Sequence, residues 1–166
     1  MIILGVDPGN ATTGYGIIES FKRRVLNCVC YGSIETSKTK TAGSRLLTLE
    51  KELQKILVKY KPDVVAVERL YFFKNLRTAM PVSEARGVIL LAIAKHNLPV
   101  YELTPLQAKM AITGYGRADK KQVQRMVKEI LKLKEIPKPD DASDALAMAI
   151  ACAQISLGPL GVQTPF

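Results

Sequence analysis

The chain of 166 residues is long enough for one domain with a single hydrophobic core. Its hydrophobic content of 48% and charged content of 23% exclude a disordered polypeptide, and no run of about 18 apolar residues predicts a membrane-spanning helix, so we expect a cytoplasmic protein without membrane association. The net charge of +9 is compatible with a solvated basic surface and also with a polyanionic partner such as nucleic acid.

The first predicted strand is the apolar run that begins at Ile2 and ends at Asp7, where Pro8-Gly9 turns the chain. An ionised aspartate is rarely buried at the end of a central strand unless another charge or a metal ion compensates it. Asp7 therefore directs attention to the other acidic residues of the chain. The candidates that could lie beside it are Glu68, Asp141 and Asp144.

Two further strands are predicted after this turn, from Gly14 to Glu19 and from Val25 to Ile34. The short connections between these strands favour antiparallel hairpins. The third strand carries Cys28 and Cys30, which together with Cys152 match no zinc-binding or redox spacing. We expect all three cysteines to be reduced thiols.

A helical period begins near Ser44, the predicted N-cap, and continues to Tyr60. The apolar run from Val64 to Glu68 then predicts a strand that is buried on both faces. A strand, a helix and a strand in this order favour a parallel crossover next to the first strand. Such a crossover would bring Glu68 beside Asp7.

The second half of the chain is predicted to be mainly helical. Thr104 and Gln107 form a capping-box pattern, and Pro81 is expected to be tolerated only in the first turn of its helix. The predicted elements are a helix over 78–95, a strand over 99–101, helices over 105–113 and 119–132, and an Ala-rich buried helix over 141–155. We expect one domain over residues 1–157 and a loose tail over 158–166.

Asp141 and Asp144 lie three residues apart at the start of the last helix, so both face the same way. Helix capping is the simplest interpretation of this pair by itself. If the pair also meets Asp7 and Glu68, however, the four carboxylates would repel one another unless cations lie between them. Oxygen ligands suit Mg²⁺ or Mn²⁺, and two such ions can support phosphodiester hydrolysis.

Motifs over nearly the whole chain resemble the RuvC-type Holliday junction resolvases, which are crossover junction endodeoxyribonucleases of the ribonuclease H-like superfamily. The matching segments are Gly5-Val6-Asp7-Pro8-Gly9, Thr13-Gly14-Tyr15-Gly16, Val67-Glu68, Tyr71-Phe72, Lys74-Asn75, Ala85-Arg86-Gly87-Val88, Gln107-Ala108-Lys109, Gly114, Gly116, Lys120, Gln122-Val123-Gln124 and Asp141-Ala142-Ser143-Asp144-Ala145-Leu146-Ala147.

The resemblance implies an α/β fold with a mixed five-stranded sheet flanked by helices. It implies a catalytic, metal-binding role for Asp7, Glu68, Asp141 and Asp144, with two Mg²⁺ ions per active site that Mn²⁺ can replace. It further implies a homodimer that resolves four-way junction DNA by paired symmetric nicks in homologous recombination and DNA repair, beside a branch-migration motor of the RuvA and RuvB type.

Six residues are candidates for DNA binding. The segment between Thr104 and Lys138 contains nine Lys or Arg residues and only three acidic ones, as expected for a surface that meets phosphates. By its match to the family, Tyr71 is expected to stack on a base near the cleavage point. The six candidates are Tyr71, Phe72, Lys74, Lys109, Arg117 and Lys120.

Three alternatives are open at this stage. The turn after Asp7 resembles the first phosphate loop of actin-like ATPases and kinases, but those enzymes need a second domain. A non-catalytic junction-binding module is disfavoured because all four acids are present. A ribonuclease H-like enzyme that acts on RNA is excluded only by the resemblance.

Overall fold

The computed structural model describes residues 1–21, 25–69 and 76–156, without the side chains of residues 76–78 and 156. The elements in chain order are β1 (Ile2–Asp7), β2 (Thr12–Ser20), β3 (Leu26–Glu35), α1 (Ala42–Tyr60), β4 (Val64–Glu68), α2 (Leu76–Lys95), β5 (Val100–Leu103), α3 (Pro105–Thr113), α4 (Lys120–Ile130) and α5 (Asp140–Ser156). No helix in these ranges is long and apolar enough to cross a membrane. The predicted tail over 158–166 lies outside the described residues.

The five strands form one mixed sheet in the order β3-β2-β1-β4-β5, which confirms the predicted architecture. The first three strands pair antiparallel as two hairpins, whereas β4 is parallel to both β1 and β5. The connection through α1 is the predicted crossover, and its register sets Val6 of β1 beside Val67 of β4. The residues that follow this pair, Asp7 and Glu68, therefore end neighbouring strands at the same edge of the sheet.

Helices cover both faces of the sheet. On one face α1 and α2 pack against a core that includes Leu4 and Val67. On the other face α3, α4 and α5 pack against a core that includes Ile3 and Ala66. Because side chains alternate along a strand, Asp7 falls on the face of Ile3 and Glu68 on the face of Ala66. Both acids thus face the layer that contains α5.

The start of α5 lies directly on the ends of β1 and β2, because glycines remove the side chains that would keep it away. A Cβ added to Gly5 would lie 2.0 Å from the carbonyl oxygen of Ala145, and one added to Gly14 would lie 1.9 Å from the carbonyl oxygen of Asp141. The many alanines of α5 permit the same close approach from the helix side. This packing brings the acidic first turn of α5 to Asp7, which pairs with Gly14 across the hairpin.

Two predicted helix starts are wrong. The N-cap of helix α1 is Thr41, three residues earlier than the predicted Ser44, and the Thr41 hydroxyl accepts a hydrogen bond from the Ser44 backbone N–H at 3.3 Å. Helix α2 begins at Leu76, so Pro81 lies in its second turn and not in its first. Proline there removes one helical hydrogen bond, which the contacts of the other residues of α2 with the core compensate.

The other local predictions agree with the structure. The capping box predicted for α3, from Thr104 to Gln107, is complete. Helix α4 also begins with a capping box, from Asp119 to Gln122, which was not predicted. Helix α3 ends at Gly114, whose backbone is left-handed. All three cysteines are reduced thiols, as predicted.

Candidate active site

Asp7 and Glu68 contact each other through a side-chain hydrogen bond at the edge of the sheet. Two carboxylates form such a bond only when one of them carries a proton. Burial raises the pKa of Asp7 to about 9, and the negative charge of Glu68 and the hydrogen bond to it act in the same direction. The two carboxyl groups therefore share one proton, and the deeper burial of Asp7 favours its protonated form.

The acidic start of α5 adds to this concentration of negative charge. Asp144 and Asp141 both raise the pKa of Asp7 further through their own charges. Burial raises the pKa of Glu68, and Asp144 adds to that effect. The four predicted acids therefore interact electrostatically at one place, although they come from three distant parts of the chain.

Helix capping by itself does not account for the acids on α5. The helix begins at Asp140, so Asp140 and Asp141 both lie in its first turn, where the helix dipole favours negative charge. Asp144 lies one turn further along and is 30% exposed. Its position on the face that meets Asp7 and Glu68 has no capping purpose.

Lys120, at the first position of α4, supplies positive charge to the same site. Its ammonium nitrogen lies 3.0 Å from Oδ2 of Asp144 and 3.3 Å from Oδ2 of Asp140. Partial burial lowers the pKa of Lys120, but the hydrogen bonds and charges of the two aspartates outweigh this and raise it overall. Burial raises the pKa of Asp144, which the contact with Lys120 opposes.

Asp140 and Gln124 belong to this network but were not among the predicted site residues. The amide Nε2 of Gln124 donates to Oδ1 of Asp140 at 3.0 Å, and Gln124 is buried. The hydrogen bonds from Lys120 and Gln124 lower the pKa of Asp140. The available sequence signal was the spacing, because Lys120 and Gln124, like Asp140 and Asp144, are four residues apart and share a helix face.

Three of the four acids have a close partner in this structure. Asp7 faces Glu68, and Asp144 faces Lys120. Within the described ranges, no three acidic, histidine or cysteine side chains adopt the closed arrangement of a metal site. The donor chemistry nevertheless fits a hard cation, because every candidate ligand is a carboxylate oxygen. Metal binding would require Asp7 to lose its proton and Asp144 to leave Lys120.

The turn that follows Asp7 is clamped from α1. The guanidinium of Arg45 donates to the backbone carbonyl of Asn10 and, at 2.9 Å, to its side-chain Oδ1. The same guanidinium donates to the Thr36 hydroxyl at 3.2 Å, and that hydroxyl donates to the carbonyl of Ala11. These contacts fix the β1–β2 connection beside the candidate site, and they were not predicted from the sequence.

The predicted DNA-binding residues are placed unevenly. Lys120 lies within the acidic site, Lys109 is partly buried midway along α3, and Arg117 is exposed just before α4. The other three candidates lie outside the described residues, and their roles stay predictions. These are Tyr71, Phe72 and Lys74.

Comparisons with known proteins agree with this architecture. A family model described as "Crossover junction endodeoxyribonuclease RuvC" matches residues 3–152. A relative with that description from Caldicellulosiruptor saccharolyticus is 57% identical over 150 residues, which cover 90% of both chains. A second from Petrotoga mobilis is 54% identical over 149 residues, which cover 90% of this chain and 91% of the relative.

A solved structure agrees as well. The structure of T. thermophilus RuvC in complex with a Holliday junction substrate is 30% identical in sequence and covers 100% of both chains, with a TM-score of 0.89. Family model, sequence relatives and three-dimensional structure thus agree over nearly the full length. The chain belongs to the RuvC family of crossover junction endodeoxyribonucleases.

Proposed function

We propose that this protein resolves four-way DNA junctions as a homodimer that makes paired symmetric nicks in homologous recombination and DNA repair. The names of its relatives and the junction substrate bound to T. thermophilus RuvC support this proposal. The three alternatives considered from the sequence are all weakened by the same full-length similarity. We further propose that it acts in the cytoplasm beside a branch-migration motor of the RuvA and RuvB type.

The observation that carries the proposal is the convergence of acids on one face of the sheet. Asp7 and Glu68 end adjacent parallel strands, and the first turn of α5 packs against Gly14 of β2, which pairs with Asp7. Burial and repulsion between the carboxylates raise the pKa of Asp7 far above its ordinary range, so that Asp7 keeps a proton. Such an arrangement is costly for stability and is typical of a functional site.

Asp7, Glu68, Asp141 and Asp144 are proposed to hold two Mg²⁺ ions, for which Mn²⁺ can substitute. When bound, ions of this kind activate water and stabilise the leaving oxygen of a phosphodiester. The contribution of the protein is to place the carboxylates on rigid elements, two at strand ends and two on a packed helix. Asp7 ends the central strand β1 and is the most strongly perturbed of the four.

Positive charges next to the acids are proposed to bind the DNA backbone. Lys120 is half exposed at the site and can reach a phosphate if it leaves Asp144. Lys109 is proposed, like Lys120, to approach the scissile phosphate, and Arg117 is proposed to contact the DNA backbone. Tyr71, with Phe72 and Lys74 beside it, is proposed to stack on a base near the cleavage point.

The homodimer is proposed to form through the outer face of α2. This face exposes Met80 and Leu91, with 72% and 55% of their surface accessible, and a Cβ added to Gly87 between them would meet no atom within 4 Å. The three residues recur at helical spacing and form a largely apolar stripe, which the exposed carboxylate of Glu84 borders. A second copy is the occupant we propose, because two symmetric nicks require two active sites and a two-fold axis supplies them.

The direct test is cleavage of a synthetic four-way junction in Mg²⁺ by the parent protein and by Asp7→Asn. We expect two symmetric nicks from the parent and a loss of at least 100-fold in the variant, with junction binding retained. Glu129→Gln, which removes one exposed negative charge from the distant end of α4, is the matched control. Equal cleavage of linear duplex by the parent would contradict junction selectivity.

A further inference from the structure

Lys120 is shared between two aspartates that differ in surroundings. Its ammonium bridges Asp144, which is 30% exposed, and Asp140, which is 63% exposed. Asp140 and Asp144 lie one helical turn apart on α5, so the ammonium can shift between them without a change in the backbone. Asp144 faces the other acids of the site, whereas Asp140 lies at its outer side.

Asp140 is held in place although it is exposed. Its second oxygen accepts the hydrogen bond from Gln124, and the buried position of Gln124 fixes the direction of that bond. The capping box of Asp119 and Gln122 fixes the start of α4, from which Lys120 extends. The exposed carboxylate of Asp140 is therefore already oriented to pair with the ammonium of Lys120.

We propose that Asp140, oriented by Gln124, is a positioning residue that draws Lys120 away from Asp144 when a divalent cation binds. The inference rests on the proposed function, in which Asp144 is a cation ligand. An ammonium 3.0 Å from Asp144 competes with any cation for the same oxygen. Because Asp140 offers a second carboxylate, the ammonium can leave Asp144 and keep an ion pair. It then remains next to the site, where a phosphate can reach it.

This arrangement makes a specific prediction about cation affinity. Without Asp140 the ammonium has only Asp144 as its carboxylate partner in this network, and it would compete with the cation more strongly. We therefore expect Asp140→Asn to weaken cation binding at least threefold. In a Lys120→Met background there is no ammonium to displace, and the same substitution should change the affinity by less than 1.5-fold.

The experiment titrates the DNA-free protein with Mn²⁺ and counts the free ion by electron paramagnetic resonance. Four proteins form a double-mutant cycle: the parent, Asp140→Asn, Lys120→Met and the double variant. Glu129→Gln controls for the loss of one distant negative charge. Gln124→Ala, which frees the carboxylate without a change of charge, should weaken binding in the same direction as Asp140→Asn.

The outcomes separate the inference from the function on which it rests. Weakening by Asp140→Asn in the parent background, and not in the Lys120→Met background, supports the inference. Equal weakening in both backgrounds would mean that Asp140 acts only through its negative charge, which would overturn the inference. The absence of weakening in both backgrounds would overturn it as well. The proposed metal site itself is contradicted if the parent binds no Mn²⁺, or if Asp7→Asn leaves its Mn²⁺ binding unchanged.

Discussion

The carbonyl oxygen of Asp141 occupies the space in which a side chain on Gly14 would have to lie. A Cβ at Gly14 would come within 1.9 Å of that oxygen and 2.3 Å of the carbonyl carbon. Gly14 also pairs with Asp7 across the β1–β2 hairpin. One glycine therefore sets the separation between the acid at the end of β1 and the acids at the start of α5.

Gly14→Ala should impair the site because the added methyl group must push the start of α5 away from the sheet. We expect a loss of about 1–3 kcal/mol in the free energy of unfolding, as for other overpacked cores. Junction cleavage should fall by at least tenfold, more than the loss of folded protein explains, because small displacements of catalytic groups are costly. Urea unfolding and single-turnover cleavage measure the two effects.

Gly43→Ala is the matched control for this substitution. Gly43 lies in the first turn of α1, and a Cβ there would meet no atom within 4 Å. Alanine should stabilise the helix by up to about 1 kcal/mol and leave cleavage unchanged. Comparable losses of activity in the two variants would show that contact with α5 is not the cause.

The pKa of Asp7 predicts how stability depends on pH in the absence of divalent cations. Its value of about 9 in the folded protein lies above the ordinary value of 3.8, so the folded state keeps a proton that the unfolded state releases. The stability linked to this group is fully present below about pH 4 and is lost as pH rises toward 9. Thermal unfolding in a chelator should show this decline.

Asp7→Asn should remove most of the decline, because asparagine is neutral at every pH in this window. At pH 8 we expect the variant to be more stable than the parent by at least about 1 kcal/mol, or roughly 2–4 °C in Tm. Mg²⁺ should stabilise the parent at pH 8 and have a smaller effect on the variant. Parallel stability–pH profiles for the two proteins would argue against a buried proton on Asp7.

Arg45 should matter for cleavage because its guanidinium holds the turn after Asp7. Arg45→Ala leaves the exposed Asn10 carbonyl and side chain without these donors, and we expect a cost of about 0.5–1.5 kcal/mol in the free energy of unfolding. The turn would then loosen, and cleavage should fall about tenfold while junction affinity changes less than threefold. Lys55→Met on the same helix, which loses only an exposed ion pair with Glu52, is the control.

Leu91→Glu should separate the protomers if α2 forms the dimer surface. A charged carboxylate in the centre of an apolar interface strongly destabilises association. It should have little effect on the fold of one protomer, because Leu91 is already 55% exposed there. Sedimentation velocity at low protein concentration should show a monomer. Thermal unfolding should show an unchanged Tm. Val58→Glu, on the outer face of α1, should leave the dimer intact, since Val58 is also exposed but lies outside the stripe.

The sequence alone predicted the order of the elements and singled out four acids as a candidate site. The apolar runs of β1 and β4, the helical period of α1 and the capping box of α3 are local patterns, so they can be recognised without a structure. The start of α2 was predicted too late, because a proline is locally unfavourable beyond the first turn of a helix. Contacts with the core outweigh that local penalty.

Only the tertiary structure decided how the acids meet. The register of β1 with β4 puts Asp7 and Glu68 side by side, and the close approach of α5 depends on glycines that are distant in sequence from it. The Gln124–Asp140–Lys120 network likewise joins two helices whose relative position no local pattern encodes. Long-range packing determines these relationships, because residue type and spacing describe a helix face but not the surface against which it packs.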